Sequence, residues 1–169
     1  MVLVVMGVVG SGKTTVGRLL AERLHWRFAD ADDFHSASNV QKIRHGIPLD
    51  DRDRAPWLSA LHTAIEQWNA DHQDVVLACS ALKERYRKEL RTSAVRFVYL
   101  KGGRELILNR LRSRHGHFAS ESILDSQFRD LEEPRDAITV AVDDSPDEIA
   151  DEIFAKLNLG EQAYSVPNK

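Results

Sequence analysis

The residues best suited to chemistry begin close to the N-terminus. Gly7-Val8-Val9-Gly10-Ser11-Gly12-Lys13-Thr14 fits G-x-x-x-x-G-K-[ST], a string in which glycines let successive backbone N–H groups converge on phosphate oxygens at the start of a helix. Lys13 would reach the β- and γ-phosphates of a bound nucleotide, and the Thr14 hydroxyl would ligate Mg²⁺; Thr15 is counted with the loop as nucleotide-binding. A chance match arises in about one chain in a hundred of this length. Here an apolar run precedes the string and an amphipathic segment follows it, which is the context the motif requires.

A second group is Phe28-Ala29-Asp30-Ala31-Asp32. Two carboxylates two residues apart at the end of a short strand leave the pleat on the same side. One of them can hold a metal ion, directly or through water, while the next accepts a proton from an attacking hydroxyl. The expectation is Asp30 for the metal and Asp32 for the proton. Alone, the pair would read as a solvated acidic turn; beside a phosphate-binding loop the catalytic reading takes precedence.

These groups need a frame that brings them together. Met1 to Val9, Val75 to Cys79, Val95 to Leu100 and Ile138 to Val142 are short apolar runs rich in branched residues, and Phe28 to Ala31 adds a shorter one. Between them Val16, Leu20 and Leu24, then Trp57, Leu61, Ile65 and Trp68, then Leu106 and Leu111 recur at helical spacing. Alternating strand and helix predicts a three-layer α/β/α fold around a five-stranded parallel sheet, with ligands at the carboxyl ends of the strands. At 169 residues the chain fits one domain, expected over 1–159 with a tail at 160–169. Irregular stretches at Ser36 to Asp53 and around 112–122 are expected to move, the second as a lid.

Composition narrows the function. A hydrophobic fraction of 43% excludes a disordered chain, and a net charge of -3 gives no general field for nucleic acid or anionic membrane. The apolar N-terminus has no basic flank and is broken by Gly7, so it reads as a strand and not as a signal or membrane span. One cysteine, Cys79, permits no internal disulfide and fits a reducing cytoplasm. The chain carries no guanine-reading N-K-x-D, and no apolar strand ends in the acidic pair of a large ATPase.

Further strings then acquire meaning. Asp30-Ala31-Asp32 with His35, Gly46-Ile47-Pro48-Leu49 with Asp51, Asp53, Arg54, Pro56, Trp57 and Leu58, and Cys79-Ser80-Ala81-Leu82-Lys83 with Tyr86-Arg87 accompany the loop. So do Tyr99 to Gly102, Gly116-His117-Phe118, Gln127-Phe128 and Leu131-Glu132-Glu133-Pro134. Together they resemble the bacterial gluconate kinases, from Val2 to about Leu157; Val9 departs from the usual Ser, in a loop that works mainly through its backbone. The resemblance implies the fold of shikimate and nucleoside-monophosphate kinases and transfer of phosphate from ATP, with Mg²⁺, to the C6 hydroxyl of D-gluconate. It also suggests a homodimer. Another hydroxylated acceptor such as shikimate, or a non-catalytic nucleotide-binding regulatory module, stands as the alternative.

Such a substrate, a polyol with a carboxylate at one end, needs cations and hydroxyl-directed groups. Arg54, just before the Trp57 helix, can offer a bidentate fork to the carboxylate, and Lys83 and Arg87, four apart, can share a helix face toward it. His35 could bond a hydroxyl. In the lid region Arg114 is expected at the transferring phosphoryl group and Arg110 on the nucleotide side, whereas His115 and His117, with no third ligand nearby, read first as a flexible lid tip and second as a metal site. Trp57 and Trp68 are read as packing residues and Cys79 as a buried one.

Overall fold

Strand β1 (Val2–Met6) is buried along its whole length, as expected of a strand covered on both faces. Its side chains alternate: Leu3 and Val5 belong to one core, Val2, Val4 and Met6 to another on the opposite face. The computed structural model describes residues 1–113 and 121–157. Within these, β2 (Arg27–Asp30), β3 (Val75–Ala78), β4 (Val95–Lys101) and β5 (Ile138–Ala141) complete a parallel five-stranded sheet in the order β2-β3-β1-β4-β5. The expected three-layer architecture is present.

Helices α1 (Lys13–Leu24), α5 (Arg104–Ser113), α6 (Glu121–Asp130) and α7 (Pro146–Leu157) cover the Leu3 face, with Leu20, Ile107, Leu124 and Ile153 fully buried there. Helices α3 (Asp51–Ala70) and α4 (Glu84–Leu90) cover the other through Leu61, Ile65, Tyr86 and Leu90. Burying a side chain of this size contributes about 1.5–3 kcal/mol, so the two apolar layers are what hold the polar loops at the sheet's carboxyl edge.

Two expectations change. The stretch from Ser36 to Asp53 contains helix α2 (Ala37–Arg44), started by Ser36, whose hydroxyl accepts the Asn39 N–H at 3.3 Å. Helix α3 begins upstream of Pro56, because Asp50 and Asp53 form a reciprocal cap: each carboxylate accepts the other's backbone N–H, at 2.8 and 3.1 Å. Arg54 therefore lies inside the first turn of α3 and not before the helix. Of the lid region, Arg112 and Ser113 end α5 and Glu121 opens α6. Arg114, His115, Gly116, His117 and Phe118 lie outside the described residues, as does the tail at 160–169.

Candidate active site

After β1 the chain turns through Gly7, Gly10 and Gly12 at φ of 150°, 80° and 100°. Gly10 has no alternative, since a Cβ there would take up a disfavoured backbone conformation and come within 2.9 Å of Leu111. The loop delivers Lys13 as the first residue of α1, with its ammonium donating to Val8 O at 2.9 Å. Gly10, Gly12, Lys13, Thr14, Thr15, Asp30 and Asp32 line a cavity of about 250 Å³, together with Cys79 and Ser80 from the end of β3. The β1 and β3 ends meet here because the order β2-β3-β1-β4-β5 sends the chain to opposite sides of β1, the crevice where α/β proteins bind ligands.

The carboxylates arrive by a different route from the one expected. Asp30 is the last residue of β2, but Asp32 belongs to a single turn of 3₁₀ helix (Ala31–Phe34). Asp30 causes that turn: its Oδ1 accepts the Asp32 N–H at 3.1 Å, while Thr14 Oγ1 donates to its Oδ2 at 3.2 Å. The pleat does not set their direction, yet both carboxylates line the same cavity. Surrounding protein, and next the neighbouring Asp30 charge, push the Asp32 carboxyl above its ordinary range, with Lys13 and His35 partly offsetting this.

A second cavity, about 390 Å³, adjoins the first and falls within the usual size of small-molecule sites. Its apolar wall comes from Ile43 of α2, from Ile47, Pro48 and Leu49 in the connection between α2 and α3, and from Ile123 of α6; its polar groups are Asp32, His35, Arg44, Arg54, Ser80, Ser126 and Gln127. Ile43 and Ile47 are exposed at 41% and 51%, which is accounted for if their partner is a ligand surface.

Trp57 forms part of this cavity's wall. Its Nε1 donates to Ala31 O at 2.7 Å and its ring stacks on His35 with centroids 4.8 Å apart. It is thus core packing and also the support beneath the carboxylate turn. The His35 side chain is largely buried, with Nε2 3.9 Å from Asp32 Oδ1 and Nδ1 without a partner among the described residues. Burial lowers its pKa, Asp32 works against that, and Arg54 adds to it. A neutral ring results, able to donate or accept.

Among the expected cations, Arg54 lines the cavity, held by Tyr86 Oη at 3.0 Å and Asp130 Oδ2 at 3.1 Å. Lys83 caps α4 and contacts Asp130 at 3.3 Å and Asp51 at 3.5 Å; it supports Arg54 through their common partner instead of lining the wall. Arg87 does not face this cavity. It is buried, and its Nη1 donates to Ala81 O and Leu82 O at 2.9 and 2.8 Å, closing the β3–α4 connection. The four-residue spacing misled here because Lys83 precedes the helix. Arg110 donates to Val142 O beyond the end of β5, and Cys79 is buried with its thiol pKa pushed up to about 12, an inert residue.

Sequence reasoning gave no role to Ser80 or Gln127, which line both cavities. Ser80 is the second residue after the carboxyl end of β3, where a ligand-contacting residue is expected. Gln127 has no such local signal, because it is far from the loop in sequence and reaches it only through α6.

Known proteins share this fold. The shikimate kinase family model matches residues 9–158. A probable gluconokinase of Rattus norvegicus is 45% identical over 92% of this chain and 97% of its own length, and the gluconokinase of Gluconobacter oxydans is 45% identical over 90% and 88%. The chain belongs to the gluconokinase family. Within that family, the crystal structure of a gluconokinase from Sinorhizobium meliloti superposes with a TM-score of 0.83 at 41% identity, covering 92% of this chain and 90% of the other. Gluconokinase family membership accounts for the glycine loop and the sheet order together. No helix among the described residues is long and apolar enough to cross a membrane.

Proposed function

We propose that this protein is an ATP-dependent gluconokinase that transfers the γ-phosphoryl group to the C6 hydroxyl of D-gluconate, giving 6-phosphogluconate and ADP. The observation that carries the reading is the junction of the two cavities at Val9, Asp32, Ser80 and Gln127. A phosphoryl group held by the glycine loop has the acceptor cavity directly beyond it, and Asp32 stands at the crossing. As the C6 oxygen forms its bond to phosphorus and the bond to the β-phosphate oxygen breaks, the hydroxyl proton passes to the Asp32 carboxylate. The reaction needs only positioning and charge stabilisation, with no covalent enzyme intermediate.

Lys13, Thr15 and the loop N–H groups other than that of Val9 are assigned to the nucleotide phosphates. Thr14 and Asp30 present hard oxygens side by side, the donor set that suits Mg²⁺ completed by phosphates and water. When bound, Mg²⁺ would neutralise phosphate charge. Among the described residues no cluster of three or more metal-binding side chains offers another site. Arg54 is assigned to the acceptor carboxylate, with Lys83 behind it, and His35 to a hydroxyl. Arg114 is assigned to the transferring phosphoryl group and Arg110 to the nucleotide side.

ADP release measured against gluconate, other sugar acids, simple polyols, shikimate and nucleoside monophosphates tests the reading. Gluconate should be turned over with kcat/KM at least about 10²-fold above the others, the discrimination expected of a site built around polar substrate groups. Preferential turnover of shikimate or of a nucleotide would overturn it.

A further inference from the structure

Of the residues at the junction, only Gln127 comes from α6, and the scheme above leaves it without a task. Its Oε1 accepts the Val9 N–H at 2.6 Å, tying the glycine loop to a helix 118 residues away in sequence. The oxygen must be the atom facing Val9, because that partner is a donor. The amide is planar, so fixing Oε1 also fixes Nε2, whose two N–H groups have no partner among the described residues.

Helix α6 touches the acceptor cavity at a second point. Asp130, three residues after Gln127 and so on the same helix face, holds Arg54 at 3.1 Å. One face of one helix therefore supports the cation assigned to the acceptor's carboxylate and also supplies an amide at the phosphate end.

We propose that Gln127 is a positioning and specificity-determining residue: Oε1 fixes the glycine loop at Val9, and Nε2 donates to the C5 hydroxyl of the acceptor, aligning the neighbouring C6 oxygen between Asp32 and the γ-phosphate. The C5 hydroxyl is the suitable partner because the C6 oxygen must keep its electron density for phosphorus while it loses its proton to Asp32. The helix then sets both ends of the substrate, carboxylate through Asp130 and Arg54, hydroxyl through Gln127, and so measures chain length.

This inference rests on the gluconokinase reading, and a double cycle separates the two. Wild type and Gln127→Ala are assayed with gluconate and with 5-deoxygluconate, alongside KM for ATP and thermal unfolding. Loss of one neutral hydrogen bond at the reacting end should lower kcat/KM about tenfold. Wild type should lose about that much on 5-deoxygluconate, Gln127→Ala about that much on gluconate, and Gln127→Ala little further on the deoxy substrate, with KM for ATP rising by less than the loss on gluconate because the loop keeps its other backbone bonds. If the two losses multiply, or if Gln127→Ala equals wild type on gluconate, or if ATP suffers as much as gluconate, the assignment is overturned. Should the alanine variant melt early, Gln127→Glu, which keeps an oxygen for Val9 N–H, takes its place in the cycle. If wild type turns over a different hydroxylated acceptor and not gluconate, the substrate reading fails by itself. The same cycle with that acceptor and its deoxy analogue then decides the role of Gln127.

Discussion

The phosphate cradle and the acceptor cavity touch at four residues, yet they are made of different material. The cradle is chiefly backbone: a turn enforced by Gly7, Gly10 and Gly12 at positive φ, followed at once by the N-terminus of α1. The acceptor cavity is chiefly side chains from α2, the 3₁₀ turn, α3 and α6, steadied by ion pairs through Asp130 and Asp51. Backbone geometry tolerates a changed side chain such as Val9, and it ties the site to anything bearing phosphates. A cavity of side chains can be re-specified residue by residue while the sheet stays the same, which is how one fold serves several acceptors.

If that division is real, damage to the cradle should abolish turnover with any acceptor. Lys13→Ala should reduce kcat about 10³-fold, as expected for loss of a preorganised group that stabilises transition-state charge. Circular dichroism should be unchanged, because Lys13 is only partly buried and its ammonium donates to the glycine loop itself. Near-normal turnover by a folded variant would remove the lysine from the mechanism.

Next in size is Asp32→Asn, where about a 10²-fold loss in kcat with small changes in either KM is expected. The pH dependence carries a sign. Because the folded-state pKa of Asp32 is raised, its ionised, proton-accepting form is lost on acidification at a higher pH than for an ordinary aspartate. The acid limb of kcat/KM should lie correspondingly high. Asp30→Asn, assayed at saturating Mg²⁺, should move it downward by removing the second-largest cause of the shift. The same shift means that folding stability attributable to this group is full below the unfolded carboxyl pKa and falls as pH rises through the folded one. At neutral pH the Asn variant should therefore melt slightly above wild type while working far more slowly; a lower Tm would show that the carboxylate is held by favourable partners.

The contrast also explains what the sequence could reveal. Cradle residues are nearly consecutive, and their constraint is local backbone geometry, so glycine spacing between an apolar run and an amphipathic one was sufficient. The alternating layers were legible for the same reason, through the periods of β1 and α1. Asp30 and Asp32 were placed together correctly but for the wrong cause, since hydrogen bonding by the Asp30 side chain turned the chain before the pleat could act. Lys83 and Arg87 fared worse: a helix-face argument needs to know where the helix begins, and α4 begins at Glu84. Gln127 could not be found by spacing at all, because its contact with Val9 is made only when α6 packs on the sheet.

A more selective break is Arg54→Ala. Removing a charged hydrogen-bond donor from the acceptor side should raise KM for gluconate roughly tenfold to a hundredfold and leave KM for ATP within about twofold. Lys83→Ala should act in the same direction but less, because it touches the acceptor only by way of Asp130 and Asp51. Equal effects on both substrates would place these residues outside the acceptor pocket and dissolve the division between the two regions.

The smallest effect expected is also the most diagnostic of how the acceptor side is held. Asp50 carries no assigned chemistry; its carboxylate accepts the Asp53 N–H at 2.8 Å and so starts helix α3 one turn before Arg54. Replacement by alanine removes half of a reciprocal cap and should cost about 1 kcal/mol of stability, equivalent to a fall of about 2–4 °C in Tm for a domain of this size. Helix α3 will still form, because Trp57, Leu61 and Ile65 remain buried beneath it. Its first turn, however, should fray, and Arg54 rides on that turn. KM for gluconate should then rise about twofold to threefold while KM for ATP stays constant, the effect of a slightly loosened positioning residue. A fall in Tm with no change in KM for gluconate would show that Tyr86 and Asp130 alone fix Arg54. A matching rise in KM for ATP would show that strain in α3 reaches the glycine loop, and the two regions would have to be treated as one mechanical unit.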